Sequence, residues 1–420
     1  MKLILKNIGK VKDAAVEIKG ITVIAGENDT GKSTVGKALF SIFNSFYDID
    51  KRIRIERRES VERQLDSMLR GASIGEELMS MTGELAAEIL YEIDKRDKTN
   101  EAISDVIYAT MDAFDERYTA VISDHDLEKG TEQIEKIIAI PDGEIFKTVL
   151  QRNLDAEFYG QIGNIYVEDE SLIQLEIRGE AITVMVADNK VVELDKRINM
   201  GTEAIYMDDP FILDEFQNRI WRESIRYSNH RNHLKSLLNR NSKQSNVIEE
   251  IVVNEKFERI YNKVSEVCVG DIVKAKRASL EYRVGDKSLE VKNMSTGLKT
   301  FAILKKLLVS GYIETNGTII LDEPEIHLHP EWQLLFAELI VLLHKEFGLH
   351  ILLNTHSPYF LNAIEVYAAK YEVADQCRYY LTQNSQMVST IEDVTDEIEK
   401  IYRKLARPLQ MLENERYRND

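Results

Sequence analysis

The chain has 420 residues, 44% of them hydrophobic and 30% charged, with a net charge of −18. This is the make-up of a soluble globular protein with room for two or three domains. The acidic balance excludes a surface that is basic all over and leaves nucleic acid only a local track.

In chain order, residues 2–8 and 14–24 read as two strands joined by a turn around Gly9-Lys10, with Val16 and Ile18 alternating with polar neighbours. Met1 to Lys6 is too short and too soon charged for a secretory signal. The buried run Ile21-Thr22-Val23-Ile24-Ala25 leads into Gly26-Glu27-Asn28-Asp29-Thr30-Gly31-Lys32-Ser33-Thr34, and Val35 to Phe43 read as a helix. The nine residues fit G-x-x-x-x-G-K-[ST], and strand–loop–helix is the context that motif demands. Its glycines let backbone N–H groups close around a β-phosphate, and the helix offers its positive end. Lys32 can reach the β- and γ-phosphates, and Ser33 can place its hydroxyl on Mg2+.

Residues 46–155 are mostly helical in pattern, with Leu65, Leu69, Leu78 and Met81 at helical spacings and no heptad run long enough for an extended coiled coil. From about 160 to 207 the pattern is strand-like. Ile173 to Ile177 alternate apolar with polar, and Arg178-Gly179 and Asp188-Asn189 are turn candidates. Residues 211–265 are again mainly helical. From Arg219 to Lys243 seven basic residues (Arg219, Arg222, Arg226, Arg231, Lys235, Arg240 and Lys243) stand against one acid, Glu223. That stretch is either a solvated helix face with its loop or a contact for DNA, RNA or an acidic partner. A strand pair near 278–292 follows. No apolar run reaches the length that spans a bilayer. Cys268 and Cys377 lie far apart without metal-ligand spacing. A cytoplasmic protein with reduced thiols and no membrane contact is expected.

Three further stretches carry chemistry. Met294-Ser295-Thr296-Gly297-Leu298 opens a helix over about 297–312 and is either an anion site or an ordinary N-cap. Thr318-Ile319-Ile320-Leu321-Asp322-Glu323 is a run of β-formers ending in two acids. A buried parallel strand delivers such carboxylates to the crevice at the sheet edge, where Asp322 can hold Mg2+ and Glu323 can orient and deprotonate a water. After a helix near 331–347, the strand His350 to Asn354 ends at Thr355-His356-Ser357-Pro358. This places His356 33 residues beyond Glu323, where it can donate to a γ-phosphate. Two strands and a helix over roughly 395–413 complete the chain.

In this order, these motifs resemble the ABC-type ATPase head. The opening strand pair, Leu321-Asp322-Glu323-Pro324-Glu325-Ile326-His327-Leu328-His329-Pro330 and Thr355-His356-Ser357-Pro358 resemble its SMC, RecF and OLD branch rather than transporters. The resemblance implies an α/β fold with a mixed central sheet, an antiparallel β lobe and a helical insertion between Walker A and signature. The head would be assembled from 1–45, 156–210 and 270–395. Residues 46–155 would be the insertion, 211–269 a partly basic helical segment and 396–420 a C-terminal helix. It implies ATP with Mg2+ as ligands, Gly26 to Thr34 as Walker A, Asp322 as the Walker B acid and Glu323 as the catalytic base. Ser295, Thr296 and Gly297 would be the signature turn, His356 the switch histidine and His327 to Pro330 the D-loop. In such heads the signature of one subunit closes over ATP held by the other, so the chain is expected to dimerise around nucleotide and hydrolyse it.

Three departures stand out. Asp29 replaces a customary glycine, Thr296 and Leu298 replace the transporter glycine and glutamine, and no Q-loop glutamine is evident beyond Gln161; slow hydrolysis is expected. Heads of this kind occur as ATPase subunits of prokaryotic anti-phage systems, and the residues after His356 are too few for a fused Toprim nuclease. A nuclease or toxin effector is therefore expected as a separate chain. Alternatives are a DNA repair or recombination ATPase that grips DNA through Arg219 to Lys243, a transporter subunit, or a nucleotide-locked scaffold that does not hydrolyse.

Overall fold

Gly20 divides what reads as one strand over 14–24. Its φ of +59° lies in the left-handed region, and a Cβ there would stand 2.5 Å from the carbonyl oxygen of Gln376. The computed structural model, which describes residues 1–70, 76–95, 103–196, 198–216, 229–240, 247–275 and 280–417, therefore opens with three strands: β1 (Lys2–Ile8), β2 (Val11–Glu17) and β3 (Ile21–Ala25). Helix α1 (Lys32–Phe46) follows.

The chain folds as two compact units, Met1–Tyr47 with Leu150–Asp420, and Asp48–Val149. The second holds α2 (Ile49–Leu69), α3 (Glu76–Ser80), α4 (Thr82–Lys95), α5 (Ile103–Phe114), α6 (Arg117–Val121), α7 (Asp124–Ala139) and the start of α8 (Asp142–Phe158). Its own core joins Leu65, Leu85, Ile89, Ile107, Met111, Tyr118 and Ile134. The Tyr118 hydroxyl, buried there, donates to the Leu78 carbonyl at 2.6 Å, so the core holds no unpaired phenol.

The first unit continues with β4 (Ser171–Ile177), β5 (Glu180–Ala187), β6 (Lys190–Leu194) and β7 (Ala204–Met207). The hairpin turns carry paired left-handed residues, Arg178-Gly179 and Asp188-Asn189, as two-residue turns require. A 3-10 turn (Pro210–Glu215), α9 (His230–Asn239) and α10 (Val247–Ser265) precede β8 (Asp271–Lys274), β9 (Leu280–Val284) and β10 (Lys287–Glu290). Then come α11 (Thr296–Val309), β11 (Thr318–Asp322), α12 (Pro330–Phe347), β12 (His350–Thr355), α13 (Pro358–Lys370), β13 (Cys377–Ser385) and β14 (Val388–Asp393). The single C-terminal helix expected over 395–413 is instead α14 (Glu399–Leu405) and α15 (Arg407–Tyr417). Pro408 has no N–H for the carbonyl of Lys404, so the helix cannot run through.

Among the described residues, eleven strands form one mixed sheet in the order β6-β5-β4-β1-β2-β14-β13-β3-β12-β11-β7, and β10-β9-β8 form a separate antiparallel sheet. The antiparallel strands of the expected lobe are thus continuous with the central sheet, because β14 pairs parallel with β2. From β13 to β7 all pairing is parallel. The central strands are buried on both faces, as parallel strands are. Val23, Ile319, Leu321, Ile351 and Leu353 pack with Phe301, Phe336 and Phe360 on one side. On the other, α1 comes so close that a Cβ on Gly36 would meet Ile320 at 3.1 Å and the Tyr206 hydroxyl at 3.0 Å. Cys268 and Cys377 are free and buried. No helix among the described residues is long and apolar enough to cross a membrane.

Gly20→Ala is expected to destabilise the first unit, by about 1–2 kcal/mol for the left-handed backbone alone. A urea midpoint equal to wild type contradicts this account of the β2–β3 turn.

Candidate functional site

Three adjacent parallel strands end together. Ala25 of β3 pairs with Thr355 of β12, and Asn354 pairs with Asp322 of β11. The loop from Gly26, the turn at His356 and the residue Glu323 therefore leave the sheet at one edge, where α/β folds bind ligands.

The loop is held by packing and short hydrogen bonds. A Cβ on Gly26 would lie 1.9 Å from the Thr382 hydroxyl oxygen, so only glycine fits. That hydroxyl donates to Thr30 Oγ1 at 2.7 Å, and the buried Thr30 hydroxyl donates to the Glu27 carbonyl at 2.8 Å. Gly31, at φ +80°, leads into α1. Asp29 is also left-handed, at φ +58°, where glycine is the easy choice. Aspartate is among the residues that tolerate this region, and its carboxylate is ion-paired with Lys10. Glu27, Asn28, Asp29 and Ser33 are exposed, and Thr34 is half-buried. Lys32 is 4% exposed. Its Nζ donates to the carbonyls of Gly26 (3.1 Å) and Glu27 (2.8 Å) and lies 3.3 Å from Glu323 Oε1. Lys404 of α14, a residue no motif marks, donates to the Thr382 carbonyl at 2.8 Å and lies 3.9 Å from Glu27.

Glu323 turns out of β11 at φ +50°, with its N–H donating to the Asn354 carbonyl at 2.9 Å. Its Oε1 stands 3.3 Å from both Lys32 Nζ and His356 Nδ1. The two oxygens of Asp322 have separate donors: Asn354 Nδ2 at 3.0 Å on Oδ1 and the Tyr206 hydroxyl at 2.8 Å on Oδ2. Burial, with the Asp322 charge beside it, holds the Tyr206 phenol far above its ordinary pKa, so it stays a donor. The turn carrying His356 is anchored on both sides. The Thr355 hydroxyl donates to Glu325 Oε1 at 2.5 Å and accepts the Ser357 N–H at 3.0 Å, while Ser357 Oγ caps α13. Burial raises the Glu325 pKa.

Tyr206 lies outside every motif stretch, while Asn354, Thr355 and Glu325 lie within or beside the motif stretches but were given no role of their own. Asn354 is signalled as a polar residue ending an otherwise apolar strand, whereas nothing local marks Tyr206. Glu325 Oε2, Asn354 Oδ1 and His356 Nδ1 are buried without a hydrogen-bond partner. With the hard oxygens of Asp322 and Ser33 they suit phosphate, Mg2+ and its waters, since Mg2+ takes one or two protein oxygens beside phosphate.

Ser295, Thr296 and Gly297 are not part of this cluster. They line a pocket of about 460 Å3 with His327, His329 and Trp332. Ser295 occupies the N-cap position of α11, yet its side chain makes no capping hydrogen bond and is exposed. A Cβ on Gly297 would meet the His327 carbonyl at 2.9 Å. Gln161 is exposed in the turn after α8, next to Ile162, which accepts the Gly9 N–H.

Of the basic stretch, Arg219, Arg222, Arg226 and Lys243 lie outside the described residues. The other three face carboxylates: Arg231 pairs with Asp208, Asp209 and Glu215, Lys235 with Glu215 and Arg240 with Glu203. They do not form a free cationic track.

Beside them lies a buried ion triad. His230 sets Nδ1 2.5 Å from Glu157 Oε1 and Nε2 3.0 Å from Asp208 Oδ2. Ionised carboxylates only accept, so both ring nitrogens must carry hydrogen and the ring is an imidazolium. Burial works against that charge, but the hydrogen bonds to Asp208 and Glu157 outweigh it and push His230 to about 9. The folded pKa is above the unfolded value near 6.5, so this contribution is complete below pH 6.5 and disappears as pH rises through 9. Melting scans from pH 6.5 to 9 are expected to show a loss of about 3 kcal/mol, and His230→Gln a flatter profile. Equal slopes contradict the assignment.

Among solved structures, the chain is similar to the SMC head domain from Thermotoga maritima, at 13% identity over 94% of this chain and 98% of that one, with a TM-score of 0.36. It is similar to an SMC head bound to the C-winged helix domain of ScpA (13% identity, 93% and 97% covered, TM-score 0.37). It is also similar to an SMC head with an extended coiled coil bound to the C-terminal domain of ScpA from Pyrococcus furiosus (13%, 99% and 98%, TM-score 0.34). The profile of the AAA ATPase domain family matches residues 1–361, a span that takes in Lys32, Asp322, Glu323 and His356, and the chain belongs to that family.

Proposed function

We propose that this chain is an ABC-type ATPase that binds and hydrolyses ATP, dimerises around the nucleotide and gates a separate effector. The observation that carries the reading is the meeting of Lys32, Glu323 and His356, with Asp322 held by two donors beside them.

The backbone N–H groups from Gly26 to Thr34 and the start of α1 cradle the phosphates. Lys32 exchanges the carbonyls of Gly26 and Glu27 for phosphate oxygens. Ser33 and Asp322 would hold Mg2+, which when bound would supply positive charge against the phosphates. Once Lys32 turns to phosphate, Glu323 is released from it and can take a proton from water. The water oxygen bonds to the γ-phosphorus as the bond to the β–γ bridging oxygen breaks, leaving ADP and phosphate. His356 donates to the γ-phosphate and answers its departure.

The Ser295 hydroxyl, exposed and uncapped in its own pocket, supports a signature turn that serves nucleotide bound to a second copy. Gating of a nuclease or toxin chain in prokaryotic anti-phage defence rests on the family resemblance. Direct DNA gripping is disfavoured by the carboxylate partners of Arg231, Lys235 and Arg240.

Lys32→Ala is expected to weaken ATP binding about 10- to 100-fold by calorimetry, the worth of charge-assisted hydrogen bonds to phosphate. Unchanged binding contradicts the loop's role. Glu323→Gln is expected to bind ATP, to lose turnover by about 100-fold or more and to accumulate as a dimer with ATP in light scattering. A monomeric variant with ATP contradicts the shared site, and a wild-type protein without turnover makes the chain a nucleotide-locked scaffold instead.

A further inference from the structure

Tyr206 belongs to no motif, yet its hydroxyl reaches Asp322 Oδ2 at 2.8 Å across 116 residues of sequence. The ring is confined on several sides. Gly36 of α1 lacks the Cβ that would otherwise stand 3.0 Å from the hydroxyl. Phe40, one turn on, meets the Tyr206 and His230 rings edge-on, with centroids 6.2 Å apart in each case. The His230 imidazolium stacks on the phenol ring at 4.2 Å and 23°.

The imidazolium is itself fixed. Glu157 of α8 accepts from its Nδ1 at 2.5 Å and from the His230 backbone N–H at 2.9 Å, and Asp208 accepts from its Nε2 at 3.0 Å. Arg231 in turn holds Asp208 at 3.2 Å. Measured against apolar side chains of the same volume, such an ion triad adds little stability, because desolvation consumes most of its attraction, although discharging His230 between its two carboxylates is costly. What such a triad does supply is a ring that cannot tilt.

We propose that Tyr206 and His230 are positioning residues for the carboxylate of Asp322: the Glu157–His230–Asp208 triad locks the imidazolium, the imidazolium locks the phenol by stacking, and the phenol hydroxyl locks one carboxylate oxygen. The other oxygen is held by Asn354. Each oxygen keeps a lone pair free, and the pair points one way when a divalent cation arrives. The proposal rests on the reading of Asp322 as a metal-binding carboxylate. Donors behind a metal ligand typically govern metal affinity by 10- to 100-fold.

The test is a Mn2+ titration of the full chain, read by electron paramagnetic resonance with saturating ADP, beside ADP binding in EDTA by calorimetry. Two variants are compared with wild type. Tyr206→Phe removes only the hydroxyl. The double variant Asp208→Asn with His230→Gln removes one negative and one positive charge, so the buried balance is kept while the cationic ring is lost. Both are expected to shift the Mn2+ midpoint upward about 10-fold, with ADP binding in EDTA and near-ultraviolet circular dichroism as in wild type. A wild-type midpoint in Tyr206→Phe overturns the proposal. So does a shifted Tyr206→Phe beside an unshifted double variant, or an equal loss of ADP binding in EDTA, which marks general damage. If Tyr206→Phe does not fold, the double variant decides alone. A wild-type chain that binds neither ADP nor Mn2+ removes the ATPase reading, and the proposal with it, and is distinguishable from every result above.

Discussion

The parallel pairing of β3, β12 and β11 is the constraint on which the site depends. Its register sets Ala25 beside Thr355 and Asn354 beside Asp322, so a strand from near the start of the chain ends at one edge with two strands from its last third. A slip of one residue in either pair would turn Asp322 or Asn354 to the opposite face of the sheet. The full burial of β3, and of β11 up to Asp322, makes such a slip expensive. Apolar packing along the strands thus fixes the positions of polar groups at their ends.

Those ends carry groups that a packing argument alone would not choose. Lys32 is buried with carbonyls for partners, Glu323 bends through a left-handed backbone, and three polar atoms near it are buried without hydrogen bonds. The left-handed backbone and each unpaired buried atom cost on the order of 1–3 kcal/mol. The surrounding structure over-determines them: Thr382 locks the loop through Thr30, and the Glu325–Thr355–Ser357 chain locks the turn of His356. Such local expense, compensated by rigid neighbours, marks places where a ligand completes the hydrogen bonding.

Much of this was legible in the sequence, for physical reasons. Residues 21–34 combine a strand pattern with a motif whose spacing is dictated by phosphate geometry. Thr318 to Glu323 and His350 to His356 are apolar runs that stop abruptly at polar residues, which is how buried parallel strands end. Other parts were hidden. Tyr206 reads as an ordinary β-former in a strand, and only the sheet order, with β7 beside β11, brings it to Asp322. The triad of Glu157, Asp208 and His230 joins a helix, a loop and another helix, and no local pattern announces it. Gly20 was read through because the residues around it alternate well enough for one strand. The basic stretch from Arg219 left a solvated face and a nucleic-acid or acidic-partner contact both open, because the carboxylates that Arg231, Lys235 and Arg240 pair with, Glu203, Asp208, Asp209 and Glu215, come from other segments.

The central claim is that a triphosphate is gripped by Lys32 of one copy and by the Ser295–Gly297 turn of another, with Glu323 facing its γ-phosphate. It is tested most directly by a structure of the chain with Mg2+ and a non-hydrolysable ATP analogue. The account predicts a two-fold dimer in which Lys32 has left Glu323 for the phosphates and the turn opening α11 of the second copy closes over them. A monomer holding the analogue, with Lys32 still paired to Glu323 and the pocket of Ser295, His327 and Trp332 far from any phosphate, would contradict it.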